Sequence, residues 1–303
     1  MSEFPHLSPS TAKLLELDDE ARVRRCQEKR FISYARAKLG LEKLQRLLHL
    51  PRQTRPEALI VEAPTANGKS YLLKQFRQRN RALDNPEGDR AVVPVLFVEI
   101  GGDPSLDGFY ESILDALAAS YNPRSHRREK RRQAMELLAG VGTRVLLVDE
   151  VHNLALATFA EKMRILAEFR AFMNDERLCL SLVCAGTNEA KAELQSDTQL
   201  LNRYEVLQLP LWNDGEEYRA LLAGFEMLLP LRRASNLWDD DAAAHWILER
   251  SDRLIGQMFI ILSRAAELAI RTGEERITRS LLERIDYQSP SRRRVPVVDL
   301  DPI

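Results

Sequence analysis

Ala63-Pro64-Thr65-Ala66-Asn67-Gly68-Lys69-Ser70 is the stretch on which the reading of this chain turns. It follows an apolar run, Ala58 to Ala63, and leads into a helix-like segment, Ser70 to Gln78. Strand, glycine-containing loop and helix in that order are the context a phosphate-binding loop requires. Gly68 lets the backbone approach a phosphate, and the amides at the helix start point toward negative charge. Lys69 can reach β- and γ-phosphates, and Ser70 offers a hydroxyl to Mg²⁺. The first glycine usual in such loops is replaced by Ala63, which is tolerable where that position keeps a negative φ. The plainer alternative is a tight turn at Asn67-Gly68 followed by an ordinary helix.

A second string bears on that choice. Val145-Leu146-Leu147-Val148-Asp149-Glu150 reads as a buried strand ending in two acids. Asp149 is expected to orient the Mg²⁺ shell and Glu150 to polarise the water that attacks a γ-phosphate. Two acids at a strand end also suit a solvated turn or helix cap, but their pairing with Gly68-Lys69-Ser70 favours the chemical reading. His152 completes the string Asp149-Glu150-Val151-His152, which superficially resembles a helicase box. Such motors need a second strand-helix lobe, and the residues after Asp214 cannot supply one. His152 is therefore read chiefly as a residue leading into the next helix.

Further runs extend the pattern outward: Val92 to Ile100, Cys179 to Ala185, and Glu205 to Leu209 before Pro210. Helix-like segments Leu106 to Ala119 and Phe159 to Asn174 alternate with them, so the order implies a parallel sheet covered on both faces. The fourth run ends Cys184-Ala185-Gly186-Thr187-Asn188. It places Thr187 either to sense a γ-phosphate or to cap the helix near Glu189. Leu41, Leu44, Leu47 and Leu48 form a stripe in an N-terminal helical arm over residues 1–50. An α/β nucleotide domain is expected over 51–213, a small helical domain over 214–287, and a mobile tail over 288–303.

Composition narrows the classes further. The 303 residues carry 44 Lys and Arg against 45 Asp and Glu, so any nucleic-acid contact must come from a local patch. Cys26, Cys179 and Cys184 form no CxxC pair, which argues against a zinc site and for reduced, mostly buried thiols. No run approaches the roughly 18 apolar residues of a membrane span, and the expected location is the cytoplasm. Arg124 to Arg132 holds six cations against the single acid Glu129. Arg124, Arg127 and Arg128 are the leading candidates for phosphate-backbone contacts. The alternative is a solvated helix start whose arginines pair with neighbouring acids.

From Arg22 to Ile285 the chain resembles the TniB/TnsC family of bacterial transposition ATPases. Its carrying segments are Arg30-Phe31-Ile32-Ser33-Tyr34, Ala66-Asn67-Gly68-Lys69-Ser70, Leu147-Val148-Asp149-Glu150-Val151-His152, Ala185-Gly186-Thr187-Asn188-Glu189-Ala190 and Gln199-Leu200-Leu201-Asn202-Arg203-Tyr204. The resemblance implies an AAA+ P-loop ATPase with a five-stranded parallel sheet and a small C-terminal helical lid, using ATP and Mg²⁺. It implies assembly as a ring or helical filament on double-stranded DNA, with a transposase and a target-selection protein of the TniQ/TnsD type as partners. It places Arg203 as an arginine finger acting on a neighbouring subunit's ATP, and Tyr34 near the adenine, where a core aromatic is an equal reading. The lid segment Leu254-Ile255-Gly256-Gln257-Met258 matches in character but lacks a sensing arginine, with Gln257 near its place, so slow, regulatory hydrolysis is expected. The competing functions are an AAA+ loader or remodeller of chromosomal DNA, and a signalling ATPase that switches protein partners.

Overall fold

Five apolar runs become five parallel strands: β1 (Ala58–Glu62), β2 (Val95–Glu99), β3 (Val145–Asp149), β4 (Ser181–Gly186) and β5 (Tyr204–Gln208). The computed structural model in which they are seen describes residues 4–86, 88, 90–195 and 202–293. The sheet order is β2-β3-β4-β1-β5, every pairing parallel. Register lines up Glu62 with Gly186 and Glu99 with Asp149 at the carboxyl ends. Successive residues of the central strands, such as Leu59, Ile60, Leu146, Leu147, Leu182 and Val183, are all buried. Burial on both faces is why these strands read as continuous apolar runs rather than as alternations. β2 begins later than the expected Val92, after Pro94, while Val92 makes an isolated bridge to Leu83.

The helices are α1 (Pro9–Ala12), α2 (Asp19–Gln27), α3 (Ala35–His49), α4 (Lys69–Arg79), α5 (Leu106–Ala116), α6 (Arg127–Gly140), α7 (Phe159–Asn174) and α8 (Asn188–Gln195), followed by α9 (Glu216–Glu226), α10 (Asp241–Arg250), α11 (Ile255–Arg271), α12 (Arg279–Arg284) and α13 (Pro290–Arg293). On one face of the sheet, Phe109 and Ile113 of α5, Leu138 of α6 and Phe169 and Phe172 of α7 share a core with Ile60, Val98, Leu146 and Leu182. Gly40 of α3 fits closely against Leu72 of α4 and Leu207 of β5. A Cβ at Gly40 would lie 2.8 Å from Leu72 Cδ2 and 2.9 Å from Leu207 Cδ2.

The chain divides into two compact units, Arg36–Pro210 and the segments up to Ala35 and from Leu211. This differs from the expected arm over residues 1–50. α3, expected in that arm, buries Leu41, Leu44 and Leu47 and belongs to the sheet-bearing unit. α2 instead buries Val23 and Cys26 among Tyr218, Leu222, Ile261 and Leu262 of the C-terminal helices. Each helix goes where its own apolar stripe finds cover, and the two stripes are separated by the non-helical residues 28–34. The expected tail is α13 up to Arg293, while Arg294 and the residues beyond it lie outside the described residues, as do Gln199, Leu200 and Leu201.

Arg22 ties the second unit together. Its side chain is fully buried, donates to the Pro230 carbonyl from Nε (3.2 Å) and Nη2 (2.8 Å), and pairs with Glu275 at 2.5 Å and Asp19 at 3.0 Å. Burial by itself would lower the Arg22 pKa, and the hydrogen bonds and charge of Glu275 more than reverse this. Removing one partner from such a network leaves buried charge and carbonyl groups uncompensated. Arg22→Ala is expected to lower the stability of this unit by about 3–5 kcal/mol, read as an earlier transition in denaturant unfolding. A midpoint unchanged from wild type would refute that assignment.

Candidate functional site

The loop after β1 has the backbone of a phosphate cradle. Gly68 adopts φ +93° immediately before α4, and Ala66 adopts φ +61°. Ala63 is not among the positive-φ residues, so alanine is tolerated at the first loop position, and its N–H donates to the Gly186 carbonyl (3.1 Å). The first-turn amides of α4 therefore open at the carboxyl end of the sheet, where open α/β folds bind ligands. Asn67 has its own partners. Its buried side chain donates to the carbonyls of Leu209 and Pro210, both at 2.8 Å, and its N–H donates to the Pro64 carbonyl (3.2 Å). Asn67 is part of the loop's frame, stitching it to the end of β5.

Lys69 is only 5 % exposed, and its Nζ lies 3.9 Å from Glu150 Oε1. The loop after β1 and the acids at the end of β3 are thus brought together across the intervening end of β4. Asp149 is fully buried. Its Oδ1 accepts the Glu150 N–H (2.9 Å), while Oδ2 is buried without a hydrogen-bond partner among the described residues. An orphaned carboxylate oxygen in that position calls for a cation, and a carboxylate together with the Ser70 hydroxyl suits a hard ion such as Mg²⁺. Glu150 stands at φ +56° at the start of a 3-10 helix, Val151–Leu156. Its carboxylate is about one-third exposed and meets His152 Nε2 at 3.2 Å. The local string hinted at His152 without assigning it this contact.

Thr187 follows β4 at the same end of the sheet. Its hydroxyl donates to the Glu189 carboxylate and its carbonyl accepts the Ala190 N–H (2.9 Å), so both groups serve the start of α8. That hydroxyl holds the Glu189 carboxyl below its usual pKa. Arg203 lies elsewhere. Its carbonyl accepts the Ala58 N–H (3.0 Å) at the amino end of β1, and its guanidinium donates to Asn174 Oδ1 (3.0 Å) at the end of α7. Tyr34 belongs to the other unit, where it packs edge-on against Trp212 with centroids 4.9 Å apart. Gln257, also in that unit, accepts from the Tyr287 hydroxyl (2.8 Å).

The basic segment splits into two sets. Arg127 bridges Asp107 (2.6 Å) and Glu161 (3.0 Å), and the Asp107 hydrogen bond heads the causes that raise its pKa above the usual arginine value. Lys130 pairs with Glu111 (2.6 Å), and Arg131 with Glu168 (2.9 Å). Arg127 therefore fastens α6 to α5 and α7. Its acids lie 20 and 34 residues away in sequence. Arg124, Arg128 and Arg132 are exposed, with no acid partner among the ion pairs of the described residues. All three cysteines are buried, and burial pushes the thiols of Cys26 and Cys184 up to about 12.

The sheet order, the loop after β1, the paired acids after β3 and the helical C-terminal segment together define an AAA+ P-loop ATPase fold. The chain belongs to the TniB family: the model described as "Bacterial TniB protein" matches residues 22–214. No curated protein sequence matches the chain. Among solved structures, Cdc6p from Pyrobaculum aerophilum is similar at TM-score 0.60 and 17 % identity, over 86 % of this chain and 68 % of that one. The ORC2 protein of Aeropyrum pernix in its ADPNP-ADP complexes gives TM-score 0.59 and 13 % identity, over 86 % and 70 %. The Aeropyrum pernix ORC1 protein in complex with DNA gives TM-score 0.59 and 16 % identity, over 86 % and 67 %. At these identities the likeness is one of fold. No helix among the described residues is long and apolar enough to cross a membrane.

Proposed function

We propose that this TniB-family chain is an ATP-dependent regulator of DNA transposition that assembles on duplex DNA and hydrolyses ATP slowly. The observation that carries the reading is the convergence of Lys69, Asp149 and Glu150 at one end of the sheet, with the Asp149 Oδ2 atom buried and unpartnered among the described residues. Lys69 and the α4 amides bind the phosphates of ATP. Ser70 and Asp149 would hold Mg²⁺, which would supply positive charge beside the phosphate oxygens. Glu150 takes a proton from water as the water oxygen bonds to the γ-phosphorus and the bridging oxygen departs with ADP. Thr187, tied to Glu189, acts through the end of β4 rather than as a free sensor. Tyr34, whose ring packs against Trp212, is read as a core aromatic of its own unit. The assembled form, a ring or helical filament, receives a target-selection protein of the TniQ/TnsD type and passes the signal to a transposase in the bacterial cytoplasm.

DNA is held through its backbone by the exposed arginines of the basic segment. Arg124 and Arg128 lead. Support also comes from a groove of about 400 Å³ lined by Arg128, Arg131, Arg132, Met135 and Arg177. Removing one arginine–phosphate pair should flatten the dependence of log affinity on log salt by about 0.9. Arg124→Ala/Arg128→Ala is therefore expected to weaken duplex binding and reduce the salt slope by about 2 per protomer, with ATP binding and sequence preference unchanged. Fluorescence titrations across salt concentrations test this, and a double variant with wild-type affinity and slope would exclude these contacts. Arg127→Ala should instead act on stability, because its guanidinium is occupied by Asp107 and Glu161.

A further inference from the structure

The two oxygens of the Glu150 carboxylate have different neighbours. Lys69 Nζ lies 3.9 Å from Oε1, and His152 Nε2 lies 3.2 Å from Oε2. His152 sits two residues on, in the 3-10 helix that Asn153 anchors to the end of β2 by donating from Nδ2 to the Ile100 carbonyl (2.8 Å). On its other side the imidazole meets the end of β4 at Gly186. A Cβ there would stand 3.2 Å from the His152 backbone nitrogen, 3.4 Å from Nδ1 and 2.5 Å from Ala190 Cβ. The absence of a side chain at Gly186 lets the histidine turn and α8 pack this closely.

Nε2 faces the Glu150 carboxylate, a group that can only accept, at ion-pair distance. Nδ1 is buried and has no partner among the described residues. Glu150 is thus the polar partner of a ring confined by β4 and the 3-10 helix.

We infer that His152 is the positioning residue for Glu150, fixing the carboxylate plane through Oε2 so that Oε1 is left for the attacking water when Lys69 engages the phosphates. The inference rests on the reading of Glu150 as the general base. A base aimed by a third group is the arrangement that keeps a proton acceptor on its target. His152 neither gains nor loses a proton in the step, since the proton from water ends on Glu150. Glu150 itself occupies a left-handed backbone position, φ +56°, a kind of strain that clusters at functional sites.

The test uses the full chain with ATP and duplex DNA, measuring kcat, KM and nucleotide affinity. His152→Ala and His152→Leu should lower kcat about tenfold or more, with nucleotide affinity within about twofold of wild type. His152→Gln, whose amide can donate to the same oxygen, should recover most of the loss. In the Glu150→Gln background, removing His152 should cost nothing further, because the two groups act as one unit. His152→Leu fills similar space without a donor and serves where His152→Ala does not fold. Wild-type kcat in the alanine and leucine variants, an equal loss in the Glu150→Gln background, or no recovery by glutamine overturns the inference. A wild-type chain that binds ATP but never turns it over removes the base role of Glu150 and this positioning role together. Normal turnover that is indifferent to His152 removes the latter alone.

Discussion

Lys69→Ala is expected to abolish ATP-dependent assembly, whereas Glu150→Gln keeps ATP bound and accumulates the assembled form. The two side chains lie 3.9 Å apart, yet their proposed tasks separate in time. Lys69 is nearly buried at the head of α4, and in the proposed role its ammonium would meet the phosphates as soon as ATP arrives. Each charge-assisted hydrogen bond removed with it is worth about 1.5–3 kcal/mol, or roughly a 10- to 150-fold fall in nucleotide affinity. Glu150 matters when water attacks, so its amide variant should turn over about 10²- to 10⁴-fold more slowly with little change in binding. Nucleotide titration and sedimentation separate the cases. Normal assembly by Lys69→Ala would remove the loop after β1 from the nucleotide site.

Arg203→Ala is expected to lower turnover by about 10³-fold without loss of nucleotide binding, and the missing guanidinium should be replaceable by a neighbouring subunit. Arg203 bonds to Ala58 at the amino end of β1, while the phosphate loop follows the carboxyl end of the same strand. At about 3.3 Å per residue, the strand puts about 16 Å between them. A guanidinium held by Asn174 and attached at the far end of that strand is badly placed for its own loop, and one supplied from the next protomer would make turnover depend on assembly. Its hydrogen bond to Asn174 holds it at the surface edge near the end of α7. Mixing inactive Lys69→Ala and Arg203→Ala chains should therefore restore part of the ATPase activity at interfaces that pair an intact loop with an intact arginine. Co-assembly without any recovery would refute the role across subunits.

The sheet was legible because its chemistry is local. Ala58-Leu59-Ile60-Val61 and Val145-Leu146-Leu147-Val148 are buried on both faces, so each announces itself as an unbroken apolar run. Phe159–Asn174 matched its expected span because Thr158 caps the start by accepting the Glu161 N–H and the apolar stripe fixes the buried face. Gly68-Lys69-Ser70 and Asp149-Glu150 were readable as candidates for the same reason: a cradle of backbone amides and a strand-end acid are built within a few consecutive residues.

What the local signal left open was each side chain's distant partner. The six cations from Arg124 to Arg132 look alike in sequence, yet packing of α6 between α5 and α7 assigns Arg127 to Asp107 and Glu161 and leaves Arg128 exposed. Asn67 reads as a loop residue until the end of β5 presents two carbonyls to it. The break between the compact units falls at residue 35 rather than 50, since α2 and α3 bury similar stripes against different neighbours. Strand-helix order, the phosphate loop and the acids facing it follow from the order of amino acids alone, because periodicity and short-range backbone chemistry carry that information. Which arginines are occupied, where Asn67 turns and which groups hold the two oxygens of Glu150 were settled only by folding, because ion pairs and hydrogen bonds between distant segments depend on how those segments pack and leave no periodic trace in the chain.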